Sequence, residues 1–204
     1  MQIQNLGGGA LRLKNRSVNI VLDPYLSGKK SKKGWEADVI LVSQQNDASL
    51  LQAMDNQTGR YFAHPGEYEV SGTFIHGFDL VTPVTEAASR HTTFYTLNMD
   101  EIVVGHLGPV DCAIEEELLE QILPVDVLSV QISMDADRQK CTADWIRKLK
   151  PKVLLPLLPL EGTIDHEAFG KLVGMANQQE VDQLKLTNRD IPELPVMTWL
   201  KVEE

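Results

Sequence analysis

The chain has 204 residues, of which 43% are hydrophobic and 24% charged, proportions that suit a globular protein with a sizeable core. Its formal net charge of -10 argues against a nucleic-acid backbone as the main partner, because binding would work against long-range repulsion. No apolar run approaches the length of a membrane-spanning helix, and Met1–Asn5 does not start a signal peptide, so the expectation is one cytoplasmic domain over residues 1–204 with no membrane partner.

The elements begin with Met1–Leu6, which alternates apolar and polar residues as a half-buried strand does. Gly7-Gly8-Gly9 reads as a hairpin turn. No phosphate-loop pattern follows it, and Ala10–Lys14 reads as a second strand. A turn at Asn15-Arg16 leads into the apolar run Val18–Leu22, which ends in Asp23-Pro24-Tyr25. Ser27–Gly34 is a polar loop, and its Lys29-Lys30-Ser31-Lys32-Lys33 is the one candidate basic patch.

Val39–Val42 is a short buried strand that runs into Ser43-Gln44-Gln45-Asn46-Asp47-Ala48-Ser49. Asp47 is placed to cap a helix over Ala48–Met54. A strand that ends in a polar loop and then a helix positions side chains for chemistry, since the loop is held at both ends. Arg60–Ala63 is the next strand. His64-Pro65-Gly66-Glu67-Tyr68-Glu69-Val70 then turns into a hairpin closed at Ser71-Gly72, with Thr73–Phe78 as its return. Glu67 and Glu69 share one strand face, which reads as solvated.

Phe78–Pro83 follows, then a loop over Glu86–Arg90, and a hairpin of Thr93–Leu97 and Glu101–Val104 across Asn98-Met99-Asp100. Gly105-His106-Leu107-Gly108-Pro109 comes next. The second half alternates: a helix over Ile114–Ile122, a buried strand over Val125–Ile132 and an amphipathic helix over Thr142–Leu149. Lys150-Pro151-Lys152 ends that helix, and Val153–Pro156 is another buried strand. Asp165 caps a helix from His166 to about Met175, and the tail supplies one more strand. The two cysteines, Cys112 and Cys141, form no C-x-x-C unit and read as idle thiols.

Several of these segments together resemble the metallo-β-lactamase superfamily, in particular its bacterial Zn-dependent hydrolase-like branch. They are the strand ending in Val-Ser before a polar loop, the Asp-Pro pair, Pro-Gly-Glu-Tyr-Glu, His-Leu-Gly and Lys-Pro-Lys. The resemblance runs from the first hairpin to Leu158. It implies an α/β fold of the α+β type, a four-layer αββα sandwich of two mixed sheets flanked by helices. In that family the Ser is followed by His-x-His-x-Asp-His, which ligates zinc.

Here the corresponding positions hold Gln44, Asn46, Ala48 and Ser49, and the later ligand positions hold Thr82, Pro109 and Leu158. Zinc hydrolysis needs His or carboxylate ligands and an open position for water, so no zinc or other cofactor is expected. By the same resemblance Asp23 is a structural acceptor in its turn, and His106 matches a frequent histidine that is not a ligand.

Three readings follow. The first is a non-catalytic binding or assembly protein whose crevice keeps Gln44, Gln45, Asn46 and Asp47. Its partner would be a small polar ligand or a protein, with self-association open. The second is a metal-dependent hydrolase with a relocated site drawn from His64, His76, His106, Glu67, Asp79 and Asp47, although none of these histidines has ligand spacing. The third is a metal-free enzyme with Ser43 as nucleophile, although no G-x-S-x-G frame surrounds it.

Overall fold

A computed structural model describes residues 1–24, 36–44, 59–85, 88–111, 114–122, 124–159 and 163–203, with side chains described outside 82–90. Fourteen strands among them form two mixed sheets. The six-stranded sheet has the order β13-β1-β2-β3-β4-β5, built from Leu184–Lys185, Gln2–Gly7, Ala10–Lys14, Asn19–Leu22, Val39–Leu41 and Arg60–Phe62. The eight-stranded sheet has the order β12-β14-β11-β10-β9-β8-β7-β6. Its strands, in chain order, are β6 (Gly66–Val70), β7 (Thr73–Thr85), β8 (Ala88–Met99), β9 (Ile102–Leu107), β10 (Val127–Gln131), β11 (Val153–Leu157), β12 (Gln178–Val181) and β14 (Val196–Leu200).

The sheets pack face to face over one core. Leu11, Leu13, Ile20, Leu22 and Leu41 come from the smaller sheet, and Ile75, Tyr95, Leu97, Val104 and Leu155 from the larger. The apolar runs Val18–Leu22 and Val39–Val42 do not alternate because their strands are buried on both faces. Ile20, Leu22 and Leu41 point into the sandwich, whereas Val21, Ile40 and Val42 belong to a separate cluster on the other face.

On the outer face of the larger sheet lie α1 (Glu116–Gln121), α2 (Ala136–Leu149) and α3 (His166–Val173). Trp145 and Ile146 of α2 and Phe169 and Val173 of α3 bury against Phe94, Leu128, Leu154 and Met197. Asp165 caps α3 by accepting from the Ala168 amide at 3.0 Å, as its position before His166 predicts. The expected helix over Ala48–Met54 and its Asp47 cap lie outside the described residues, as do the Lys29–Lys33 patch and Cys112.

Five expectations are corrected, the last of them in the tail. The helix expected over Thr142–Leu149 starts two turns earlier, because the Asp135 carboxylate accepts from the amides of Asp137 and Arg138, both at 3.0 Å. Its end at Lys150 is as expected, with that residue in the left-handed region at φ 49°. The helix expected over Ile114–Ile122 is shorter, Glu116–Gln121, with no side-chain cap at Glu115. Residues 88–90, expected in a loop, belong to β8, which pairs with β7 along its whole length. The hairpin after it turns one step later than expected, at Asp100 and Glu101. Both residues have positive φ (55° and 62°), the geometry of a tight two-residue hairpin loop.

The tail contributes β12, β13 and β14 in place of one strand. β13 joins the first sheet beside β1, and β14 fits between β11 and β12 in the second. Gly8 and Gly9 make the β1–β2 turn at φ 61° and 89°. No helix among the described residues is long and apolar enough to cross a membrane.

Candidate functional site

The C-terminal ends of β3, β4, β9, β10 and β11 meet at one rim of the sandwich, a usual place for ligands in folds with parallel strands. Asp23 follows β3 directly, and its side chain has no solvent exposure. It sits at φ 48°, a region that Asp tolerates better than most residues, and this turns the carboxylate back between the sheets. Its Oδ1 accepts from the Ser43 amide at 2.7 Å. Its Oδ2 accepts from Ser43 Oγ at 2.6 Å, Gln131 Nε2 at 2.7 Å and His106 Nε2 at 3.0 Å.

Four donors converge on the Asp23 carboxylate, three of them on Oδ2 and one on Oδ1. His106 is equally committed: its Nδ1 lies 2.8 Å from Ser129 Oγ, which in turn donates to the Gly105 carbonyl at 3.2 Å. Gln131 also reaches the Gly9 carbonyl at 3.3 Å. That approach explains the third glycine of the opening turn, where an added Cβ would lie 2.9 Å from the Gln131 amide.

The charge of Asp23 is felt nearby. Burial, and then the Asp23 carboxylate, push the Tyr61 hydroxyl up to about 12. The same two causes, in the same order, raise Tyr95 further. The Tyr95 hydroxyl lies 3.2 Å from the Val42 carbonyl and 3.3 Å from that of Phe62, so it ties the larger sheet to β4 and β5.

Gln44, at the mouth of the rim, is half-buried. Its Nε2 donates to Thr92 Oγ1 and to the Pro109 carbonyl, each at 3.2 Å. The backbone of Gln44 bridges to Thr92, and the Thr93 amide donates to the Ser43 carbonyl at 2.7 Å. Gly108 makes this closeness possible, because a Cβ there would stand 2.1 Å from Ser43 Oγ.

Other candidate positions are dispersed. Leu158 packs on the helix-side core, and Thr82 lies on β7 opposite Arg90. Gln45, Asn46, Asp47, Ala48 and Ser49 lie outside the described residues. Glu67 is exposed on β6, as is Glu69. His64 is exposed and its carbonyl accepts from the Tyr68 hydroxyl at 2.8 Å, while His76 stacks on Phe78 with ring centroids 3.9 Å apart. Asp79 pairs with His91, whose Nδ1 is 3.0 Å from both carboxylate oxygens. Reading the sequence missed His91, Gln131 and Ser129. The diagonal register of β7 and β8 brings Asp79 and His91 together, and no local spacing signals it.

A scan against family models finds one described as a beta-lactamase superfamily domain over residues 2–158. The chain belongs to this superfamily. Among solved structures it is similar to a protein of Thermotoga maritima titled as a Zn-dependent hydrolase of the metallo-beta-lactamase superfamily. That match has a TM-score of 0.76 at 21% identity and covers 99% of both chains. It is also similar to Igni18, a metallo hydrolase of Ignicoccus hospitalis, with a TM-score of 0.56 at 14% identity over 85% of this chain and 90% of that one. The metallo-beta-lactamase fold protein YhfI of Bacillus subtilis matches with a TM-score of 0.59 at 11% identity over 97% of this chain and 95% of that one. At these identities the likeness shows the fold, two mixed sheets with helices. No curated protein matches the chain.

The superfamily implies zinc, and the residues of this rim do not fit it. Among the described residues no three His, Cys, Asp or Glu side chains are grouped to hold a metal ion. Gln44 presents a donating amide to its neighbours, Pro109 has no side-chain ligand and Leu158 is apolar. The acid and imidazole that do lie in the superfamily rim, Asp23 and His106, spend their polar atoms on each other and on Ser43, Gln131 and Ser129. Ser43 as a nucleophile fares no better. Its hydroxyl is 1% exposed and donates to Asp23 Oδ2, the oxygen that also takes His106 Nε2, whereas an activated serine donates to the imidazole itself.

Proposed function

We infer that this chain is a non-catalytic member of the beta-lactamase superfamily that acts as a cytoplasmic binding or assembly protein. The observation that carries the reading is the position of Gln44. Where the resemblance implies the first zinc-ligating histidine, an amide ties Thr92 to the Pro109 carbonyl. A ligand position has become a hydrogen-bonded tie between the two sheets. Neutral amides are weak ligands, and with Pro109 and Leu158 at two further positions nothing there lowers the pKa of a water molecule. The polar residues Gln44, Gln45, Asn46 and Asp47 could hydrogen-bond a small polar ligand or a protein segment, with a second copy of the chain as one candidate partner.

Elemental analysis tests this reading on protein purified without chelator and then dialysed against zinc. The expected result is zinc well below one per chain. About one zinc per chain that survives further dialysis would overturn it and move a relocated hydrolase site to the front.

A further inference from the structure

A second cleft, of about 680 Å³, lies at the opposite end of β3 from Asp23. It is within the size range of small-molecule sites. Its walls are the β2–β3 turn, the first residues of the chain, the β8–β9 turn and the segment after β13.

The charge of this cleft runs against that of the protein. Lys14 and Lys185 each pair across a ladder with Gln2, so they stand on one face of the sheet with a single strand between them. Arg16 extends from the adjoining turn. None of the three takes part in an ion pair among the described residues, although the chain carries 29 acidic residues against 19 basic ones. The two carboxylates in the cleft are already engaged. Asp100 takes the Met1 ammonium at 2.9 Å and Asn15 Nδ2 at 2.8 Å, and Asp190 takes the Thr187 amide and hydroxyl at 2.8 and 2.7 Å.

The turn that carries Arg16 is also held in shape. Asn15 Oδ1 accepts from the amides of Ser17 and Val18, both at 2.9 Å. Leu186 gives the cleft a buried apolar floor.

We propose that this cleft binds a small phosphorylated anion, with Lys14, Arg16 and Lys185 on the phosphate and Leu186 beneath the organic part. Two lysines and an arginine at exposed positions around one cleft, with Arg16 near the already engaged Asp100, suit a compact dianion. The proposal is independent of the crevice at Gln44.

Calorimetric titration of the full chain at low ionic strength tests it, with inorganic phosphate in one arm and adenosine monophosphate in the other. Saturable binding of either probe with Kd below about 10 mM is expected. Equal affinity in the two arms would mean that phosphate alone is read, and tighter binding of the nucleotide that the floor is used as well. Arg16→Ala and Lys185→Ala should each weaken binding by roughly tenfold, the effect of losing a charge-assisted hydrogen bond. Lys171→Ala, which removes a surface lysine paired with Glu167 on α3, should leave it unchanged. No saturable binding in either arm, or equal weakening by Lys171→Ala, overturns the proposal.

Discussion

His106 Nε2 stands 3.0 Å from Asp23 Oδ2, and neither side chain has any solvent exposure. The two residues come from different sheets, Asp23 from the end of β3 and His106 from β9. Their contact therefore pins the two sheets of the sandwich together at this rim.

Replacing Asp23 with Ala should be strongly destabilising. The variant leaves the Ser43 amide and hydroxyl and His106 Nε2 as buried donors without their acceptor, and Gln131 with only the Gly9 carbonyl. Each buried donor left without an acceptor costs roughly 1–3 kcal/mol. Urea unfolding of wild type and Asp23→Ala measures it, and a loss below about 1 kcal/mol, the worth of a single ordinary hydrogen bond, would show that the network does not hold the rim together.

Gly108→Ala should be destabilising by roughly 1–3 kcal/mol through overpacking. The new methyl group would meet Ser43 Oγ at 2.1 Å and Ser43 Cβ at 2.7 Å. The second variant Ser43→Gly removes both atoms. In a double-mutant cycle Gly108→Ala should therefore cost clearly less in the Ser43→Gly background than in wild type. Strict additivity would place the strain elsewhere.

Asp100 gives a pH dependence with a definite sign. The hydrogen bond from the Met1 ammonium, and then that from Asn15, hold its carboxyl below the ordinary carboxylate range. A group depressed on folding contributes stability above its unfolded pKa, near 3.9 for Asp, and that contribution is lost as pH falls through the lower folded value. Wild type should exceed Asp100→Asn in stability by a constant margin at neutral pH, and the margin should close on acidification below about pH 4. Denaturant melts across the acid range check this, and a margin that stays constant to the acid end contradicts it.

Restoring the superfamily motif in one loop should not restore hydrolysis. A variant carrying Gln44→His, Asn46→His, Ala48→Asp and Ser49→His still has Pro109 and Leu158 where the resemblance implies ligands, and Thr82 at a third such position. The expected outcome is no zinc-dependent turnover of chromogenic hydrolase substrates above the wild-type background. Robust turnover would mean that the rest of the rim supplies more of a metal site than its side chains suggest.

Much of the fold was legible because its signals are local. Val39–Leu41 reads as a strand from composition, Ser71-Gly72 as a tight turn, and Asp165 as a cap from its place before an apolar helix face. Where two local signals compete, the stronger hides the weaker: the polar first turns of α2 mask Asp135 as a cap, because the apolar periodicity begins only at Thr142.

The site was legible in its losses more than in its contents. Which superfamily ligands are missing can be read directly from residues 44–49. That Gln131 would cross to Asp23 and Gly9, or that Asp79 would meet His91, depends on register between segments far apart in sequence, which no spacing records.

The main-chain contacts of Ser43 and Gln44 with β8 also govern how the protein can breathe. Ordinary sandwich sheets touch only through side chains, and side chains can slip past one another. Here the Thr93 amide is held by the Ser43 carbonyl at 2.7 Å, beside the Gln44–Thr92 bridge, so the two sheets share a fixed pivot at this corner. Relative motion of the two sheets is therefore most restricted at this corner. The spacing of Ser43 and Gln44 from β8 is thus set by backbone, not by side-chain packing.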